Sequence, residues 1–214
     1  MKHYKKIDKT FLNDCGYETK HNKNEYIVIH YTAGANDSAE AVAKYFVNLR
    51  KRNFWVGDRF RYASAHFVVD EKSIFQCVDS KLTAWHCGDN KYIYSKGGSL
   101  FGKCTNYNSV GIEMCKQLDK LNFATIENSI HLTKRLMKKY KINAKNVIRH
   151  YDVSGKHCPA KMIDDTIEYK NNWNIFKKCI ALSDNFEIKI ENDGTCLKRE
   201  IGKTKWIKIG QFKN

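Results

Sequence analysis

Residues 146–160 read NVIRHYDVSGKHCPA. The short apolar run Val147-Ile148, ending on Arg149 and His150, predicts a buried strand that delivers an imidazole at its tip. Gly155 gives the following loop backbone freedom, Lys156 and His157 stand just before Cys158, and Pro159, the single proline of the chain, sets the direction afterwards. A neutral imidazole and a thiolate suit zinc, and a strand tip with a curled loop can hold both at about 2.0 to 2.3 Å from one ion. The pair is weak by itself: with 8 His and 8 Cys in 214 residues, such a spacing arises by chance about 0.3 times. A third donor is needed. His30 ends a second apolar run, Tyr26-Ile27-Val28-Ile29, and is followed by Tyr31-Thr32-Ala33-Gly34. Two imidazoles and one thiolate leave the fourth position of a tetrahedral ion for water, which is the catalytic arrangement.

Five separated blocks extend this pattern in order: VIHYTAG, SAHFVVD, AWHCGD, NSVGIEM and RHYDVSGKHCPA. In order, residue type and spacing they resemble the zinc-dependent N-acetylmuramoyl-L-alanine amidases of type 2, a family that includes the peptidoglycan recognition proteins. The resemblance runs over residues 25–180. It implies Zn2+ held by His30, His150 and Cys158, with Glu113 and Lys156 assisting hydrolysis of the bond between muramic acid and L-alanine. In the lysozyme-like branch a catalytic tyrosine precedes the histidine of the second block, and here that position is Ala65. The match is therefore closer to the branch with a glutamate in the GIE block. A non-catalytic peptidoglycan-recognition module is the main rival, and the presence of all three candidate ligands favours the enzyme.

The formal charge of +15, from 38 Lys+Arg against 23 Asp+Glu, predicts attraction to a polyanion. No helix-turn-helix, zinc-finger or RNA-binding-sheet signature is present, so anionic wall polymer is preferred to nucleic acid. The amino-terminal 20 residues lack the apolar core of about 7 to 15 residues that a secretory signal needs. No run of about 18 apolar residues predicts membrane insertion. The expectation is a protein made in a host cytoplasm that acts on the wall after release, as a phage endolysin does. The eight cysteines contain no CxxC pair; most are expected as small buried hydrophobes, with Cys77/Cys87 or Cys104/Cys115 as the candidate disulfide or structural-zinc pairs.

Along the chain, Asp37-Ser38-Ala39-Glu40 is a candidate capping box, and Val42, Tyr45, Phe46 and Leu49 follow at helical spacing as an expected core stripe. Residues 59–62 lead into two apolar runs, 65–70 and 73–78, which predict a hairpin across Glu71-Lys72 with His66 inside its first strand. Trp85 and His86 precede a long loop reaching Tyr107, which predicts a groove border, and Trp85, His86 and Asn108 are candidates for substrate contact. In NSVGIEM the alternation puts Val110, Ile112 and Met114 on one face and Gly111 with Glu113 on the other. A carboxylate in an apolar strand is costly unless paired or near solvent, which marks Glu113 for chemistry, with a strand-end ion pair as the bland alternative. Ile126, Ile130, Thr133, Met137 and Tyr140 form one helical stripe, and Tyr169, Trp173, Phe176 and Ile180 another.

The composition changes near Ser183, and three short strands are expected over 186–190, 195–199 and 206–209, with Asn192-Asp193-Gly194 as a turn. The predicted fold is α/β: a mixed central β-sheet flanked by helices, with a small β-rich C-terminal appendage. Residues 1–183 are read as the catalytic domain and 184–214 as a short tail for wall binding or oligomerisation.

Overall fold

The computed structural model describes residues 5–52, 55–56, 59–60, 63–163, 169 and 171–214. In chain order the elements begin with strands β1 (Ile7–Asp8), β2 (Tyr17–Glu18) and β3 (Tyr26–Tyr31), helix α1 (Ala39–Arg52), and strands β4 (Trp55–Val56) and β5 (Arg59–Phe60). Strands β6 (Phe67–Val69), β7 (Ile74–Gln76), β8 (Thr83–Ala84) and β9 (Ser109–Met114) follow, then helix α2 (Phe123–Tyr140) and strand β10 (Val147–Arg149). Helices α3 (His150–Ser154) and α4 (Asn172–Ala181) lead to strands β11 (Phe186–Ile190), β12 (Thr195–Glu200) and β13 (Ile207–Gln211).

The six-stranded sheet has the order β1-β7-β6-β9-β3-β10. Neighbours from β6 to β10 pair in parallel and β7 runs against β6, so the sheet is mixed, as the sequence predicts. Strand periodicity then divides the side chains. Ile27, Ile29, Val110, Ile112 and Met114 share one core with the inner faces of α2 and α4. Val68 and Phe75 face α1, where Ala39, Ala43, Phe46 and Val47 are buried. Fully burying one such side chain contributes roughly 1.5 to 3 kcal/mol, so register is fixed strongly by this two-sided core.

Two local expectations change. The hairpin β6–β7 forms, but His66 lies just before β6, and Asp70 Oδ1 closes the turn by accepting from the Lys72 and Ser73 amides at 2.7 and 2.6 Å. That side-chain turn replaces the glycine that the sequence lacks there. Helix α1 starts as expected, with Ser38 Oγ accepting from the Ala41 amide at 3.2 Å; Phe46 and Leu49 are buried and Val42 packs against them, but Ala43 and Val47 join that face in place of Tyr45. Tyr45 is 44% exposed and borders a cleft instead of the core. The cysteines follow the main expectation of small buried hydrophobes, and neither candidate pair, Cys77/Cys87 nor Cys104/Cys115, is bridged. All eight cysteines are buried and unbridged. The run 59–62 lies partly outside the described residues.

The tail forms its own antiparallel sheet, β11-β12-β13. One face of it, through Ile188, Ile190, Cys196 and Phe212, belongs to the same core as Trp173, Ile175 and Phe176.

Candidate metal centre and cleft

Register builds the site. In the parallel pair β3–β9, His30 lies opposite Glu113, which puts both side chains on the face away from the α2 core at adjacent strand ends. Strand β10 lies on the other side of β3 and ends at Arg149, so His150 enters the same region as the first residue of α3. Arg149 fixes that start: its guanidinium and amide bond the Asp152 carboxylate at 2.8 to 3.1 Å, and Nη1 donates to the Met162 carbonyl at 2.7 Å. Gly155 ends α3 in the left-handed region at φ 87°, where a Cβ would lie 2.9 Å from Ser95 Cβ. The chain doubles back, and the Cys158 carbonyl accepts from the Tyr151 amide at 2.9 Å.

His30, His150 and Cys158 are all buried, and their donor atoms lie within 4.8 Å of one another. Cys158 Sγ is 3.9 Å from His30 Nδ1, which identifies Nδ1 as the nitrogen turned toward the centre. Burial pulls His30 well below the usual imidazole range, with His150, His86 and Lys156 adding to it, so this ring is neutral and has a free lone pair. Burial pushes the Cys158 thiol up, which makes a cation necessary to stabilise its thiolate. His150 Nε2 stands 3.3 Å from Asp89 Oδ2 without hydrogen-bond alignment and has no hydrogen-bond partner among the described residues. A neutral imidazole, an orphaned imidazole nitrogen and a thiol that needs a positive neighbour fit zinc.

Around this cluster runs a cleft of about 820 Å³. Glu113 Oε2 is sealed from solvent and has no hydrogen-bond partner among the described residues. Burial raises the Glu113 carboxyl to about 7, although His86 and Lys156 pull the other way. Lys156 Nζ lies 3.5 Å from Asp89 Oδ2. Burial disfavours its charge, but Asp89 and Cys158 outweigh that and raise its pKa, so it stays an ammonium.

Of the predicted site residues, His30, Trp85, His86, Glu113, His150, Lys156 and Cys158 all line the cleft. Asn108 is not brought there. Its side chain accepts from the Thr105 amide at 2.8 Å and donates to Glu25 and the Lys103 carbonyl, capping a short turn. The asparagine at the cleft is Asn106, whose Oδ1 accepts from the His86 and Cys87 amides. Asp89 was legible only as the last residue of AWHCGD. Its contacts with His150 and Lys156 depend on the long loop folding onto α3, with the Gly98 amide donating to the Tyr151 carbonyl at 2.8 Å. His66 is a core histidine: Nδ1 accepts from the Gly111 amide at 3.0 Å, and burial lowers its pKa to about 3.

Three zinc-type donors at the strand ends of a mixed α/β sheet, with a lone buried carboxyl on the next strand, are the parts of a metallohydrolase centre. The chain belongs to the N-acetylmuramoyl-L-alanine amidase family, whose model matches residues 20–161. It is 30% identical to the amidase CwlL of Bacillus licheniformis over 141 residues, 65% of this chain and 37% of CwlL. It is 31% identical to the amidase XlyA of Bacillus subtilis strain 168 over 183 residues, 84% of this chain and 52% of XlyA. The chain thus spans between about a third and a half of these relatives. The solved catalytic domain of XlyA superimposes with a TM-score of 0.56 at 28% identity, covering 82% of this chain and 96% of that domain.

Proposed function

We propose that this protein is a zinc-dependent peptidoglycan hydrolase of endolysin or autolysin type, cleaving the amide between N-acetylmuramic acid and L-alanine. The observation that carries the reading is the His30, His150 and Cys158 donor set beside the Glu113 carboxyl, whose Oε2 has no partner among the described residues, in one cleft. Those three residues would hold the ion, which when bound supplies Lewis-acid polarisation of the amide carbonyl and acidifies a water. Glu113, with a pKa near neutrality, takes the water's proton and passes it to the leaving amine of L-alanine. Lys156 offers an ammonium to the developing oxyanion, and Asp89 restrains it. Trp85, on the cleft wall, offers an aromatic surface to sugar or peptide. Anionic wall polymer is the second partner, on the strength of the +15 charge. No helix among the described residues is long and apolar enough to cross a membrane.

Digestion of purified bacterial wall tests this directly. New free L-alanine amines, lost on chelation and restored by zinc, are the expected result. New reducing sugars, or turnover that survives complete metal removal, would overturn it.

A further inference from the structure

His30 makes a second contact that its role toward an ion does not use. Its Nε2 lies 3.0 Å from His86 Nδ1, with the two rings nearly perpendicular at 88°. His86 Nε2 in turn lies 3.3 Å from Ser109 Oγ, and that hydroxyl donates to the Thr105 carbonyl at 2.5 Å. With both rings neutral, one assignment of protons satisfies the line. The Thr105 carbonyl can only accept, so the Ser109 proton is spent there and its oxygen accepts from His86 Nε2–H. A neutral His86 then has a bare Nδ1, which accepts from His30 Nε2–H. His30 is left with its lone pair on Nδ1, the atom facing Cys158.

The chain builds this line deliberately in space. The His86 amide is held by Asn106 Oδ1 at 3.0 Å, and Gly111 leaves the room that the ring occupies: a Cβ there would lie 2.7 Å from His86 Cγ. His86 is only 9% exposed although it borders the cleft.

We infer that His86, backed by Ser109 and the Thr105 carbonyl, is a positioning residue that fixes the His30 tautomer and presents Nδ1 to the metal before the ion arrives. This rests on the zinc reading of the cluster but is separable from it. Outer partners of this kind typically alter metal affinity by about 10- to 100-fold. It gives His86 a use beyond the substrate contact that its place on the cleft wall allows.

The test uses the full chain freed of metal, with nitrogen-15 NMR of the imidazoles at a pH where the rings are neutral, followed by chelator-competition zinc titration. The expected parent signature is His30 protonated on Nε2. His86→Ala should mix the His30 tautomers and weaken zinc by about 10- to 100-fold. His86→Gln, whose amide oxygen can accept the same bond, should recover part of both. Ser109→Ala, a smaller change that leaves the His86 ring in place, should shift the tautomer balance in the same direction. An Nδ1-protonated His30 in the parent, or a His86→Ala chain with parental tautomer and affinity, overturns the relay. A parent chain that takes up no zinc overturns instead the metal reading, on which the tautomer measurement does not depend.

Discussion

Glu113 is the residue on which chemistry and stability pull apart. A buried carboxyl raised to about 7 from 4.5 keeps its proton in the fold at pH values where the unfolded chain has lost it. Its stabilising contribution is therefore fully present below about 4.5 and lost as pH rises through about 7, a change of up to roughly 3 kcal/mol. Glu113→Gln, neutral throughout, should melt above the metal-free parent beyond pH 7, with the two curves meeting at acid pH; calorimetry across pH checks this. The same variant should keep zinc and lose about 10² to 10⁴ in amide hydrolysis, measured as free L-alanine amines released. Parental turnover with zinc in place would mean that the base is another residue. Cys158→Ser should act differently, lowering zinc content and thermal stability together, because a hydroxyl is a poor ligand for a soft site. That His30 and His150 come together was legible because each stands at the end of an apolar run; Cys158 was marked by its loop position and the family resemblance, and Glu113 by its place in an apolar strand. Asn106 and Asp89 were not legible, because their roles are set by partners 19 or more residues away.

At the scale of elements, the tight piece is the turn after α3. Gly155 combines a positive φ with contact against Ser95, so Gly155→Ala meets both backbone strain and a 2.9 Å clash. A loss of at least about 1 kcal/mol is expected, together with weaker zinc binding, since Lys156 and Cys158 follow directly. Denaturant melts with and without zinc would separate the two effects, and a variant with parental stability would show that the turn tolerates a side chain. The sequence marked this glycine only as loop freedom between the His150 strand tip and Cys158; the short helix α3 that fills the first part of that loop was not read there. Helix α1 shows the opposite case. Its 3.6-residue spacing admitted two adjacent faces, and only the position of Val68 and Phe75 beneath it selects Ala43 and Val47 over Tyr45. The β6–β7 turn was hidden for a related reason: Asp70 supplies by hydrogen bonding what a glycine usually supplies by conformation.

At the scale of the whole molecule, charge and tail make separate predictions. A groove of about 950 Å³ between residues 5–9 and α2 is lined in part by Lys5, Lys6, Lys9, Arg135, Lys138 and Lys139, and shares no residue with the metal-site cleft. Wall association should therefore weaken steeply as salt rises, because attraction through exposed charge is screened over about 10 Å at 0.1 M salt. Sedimentation with intact wall over a salt series checks this; constant binding would point to a specific pocket. The tail behaves as part of the core. Ile188, Cys196 and Phe212 are at most 1% exposed. Gly210 brings β13 so close to α4 that a Cβ would lie 2.8 Å from Ile175. The Lys213 amide and carbonyl both bond the Asn172 side chain. Removing residues 184–214 uncovers several side chains worth roughly 1.5 to 3 kcal/mol each, a loss comparable to the 5 to 15 kcal/mol that holds a typical domain. The truncated chain should therefore melt far below the parent and lose turnover of soluble muropeptides along with affinity for wall. If it keeps its melting point and soluble turnover and loses only wall affinity, the tail is a separable wall-binding piece, and its packing on α4 contributes little to the stability of the catalytic body.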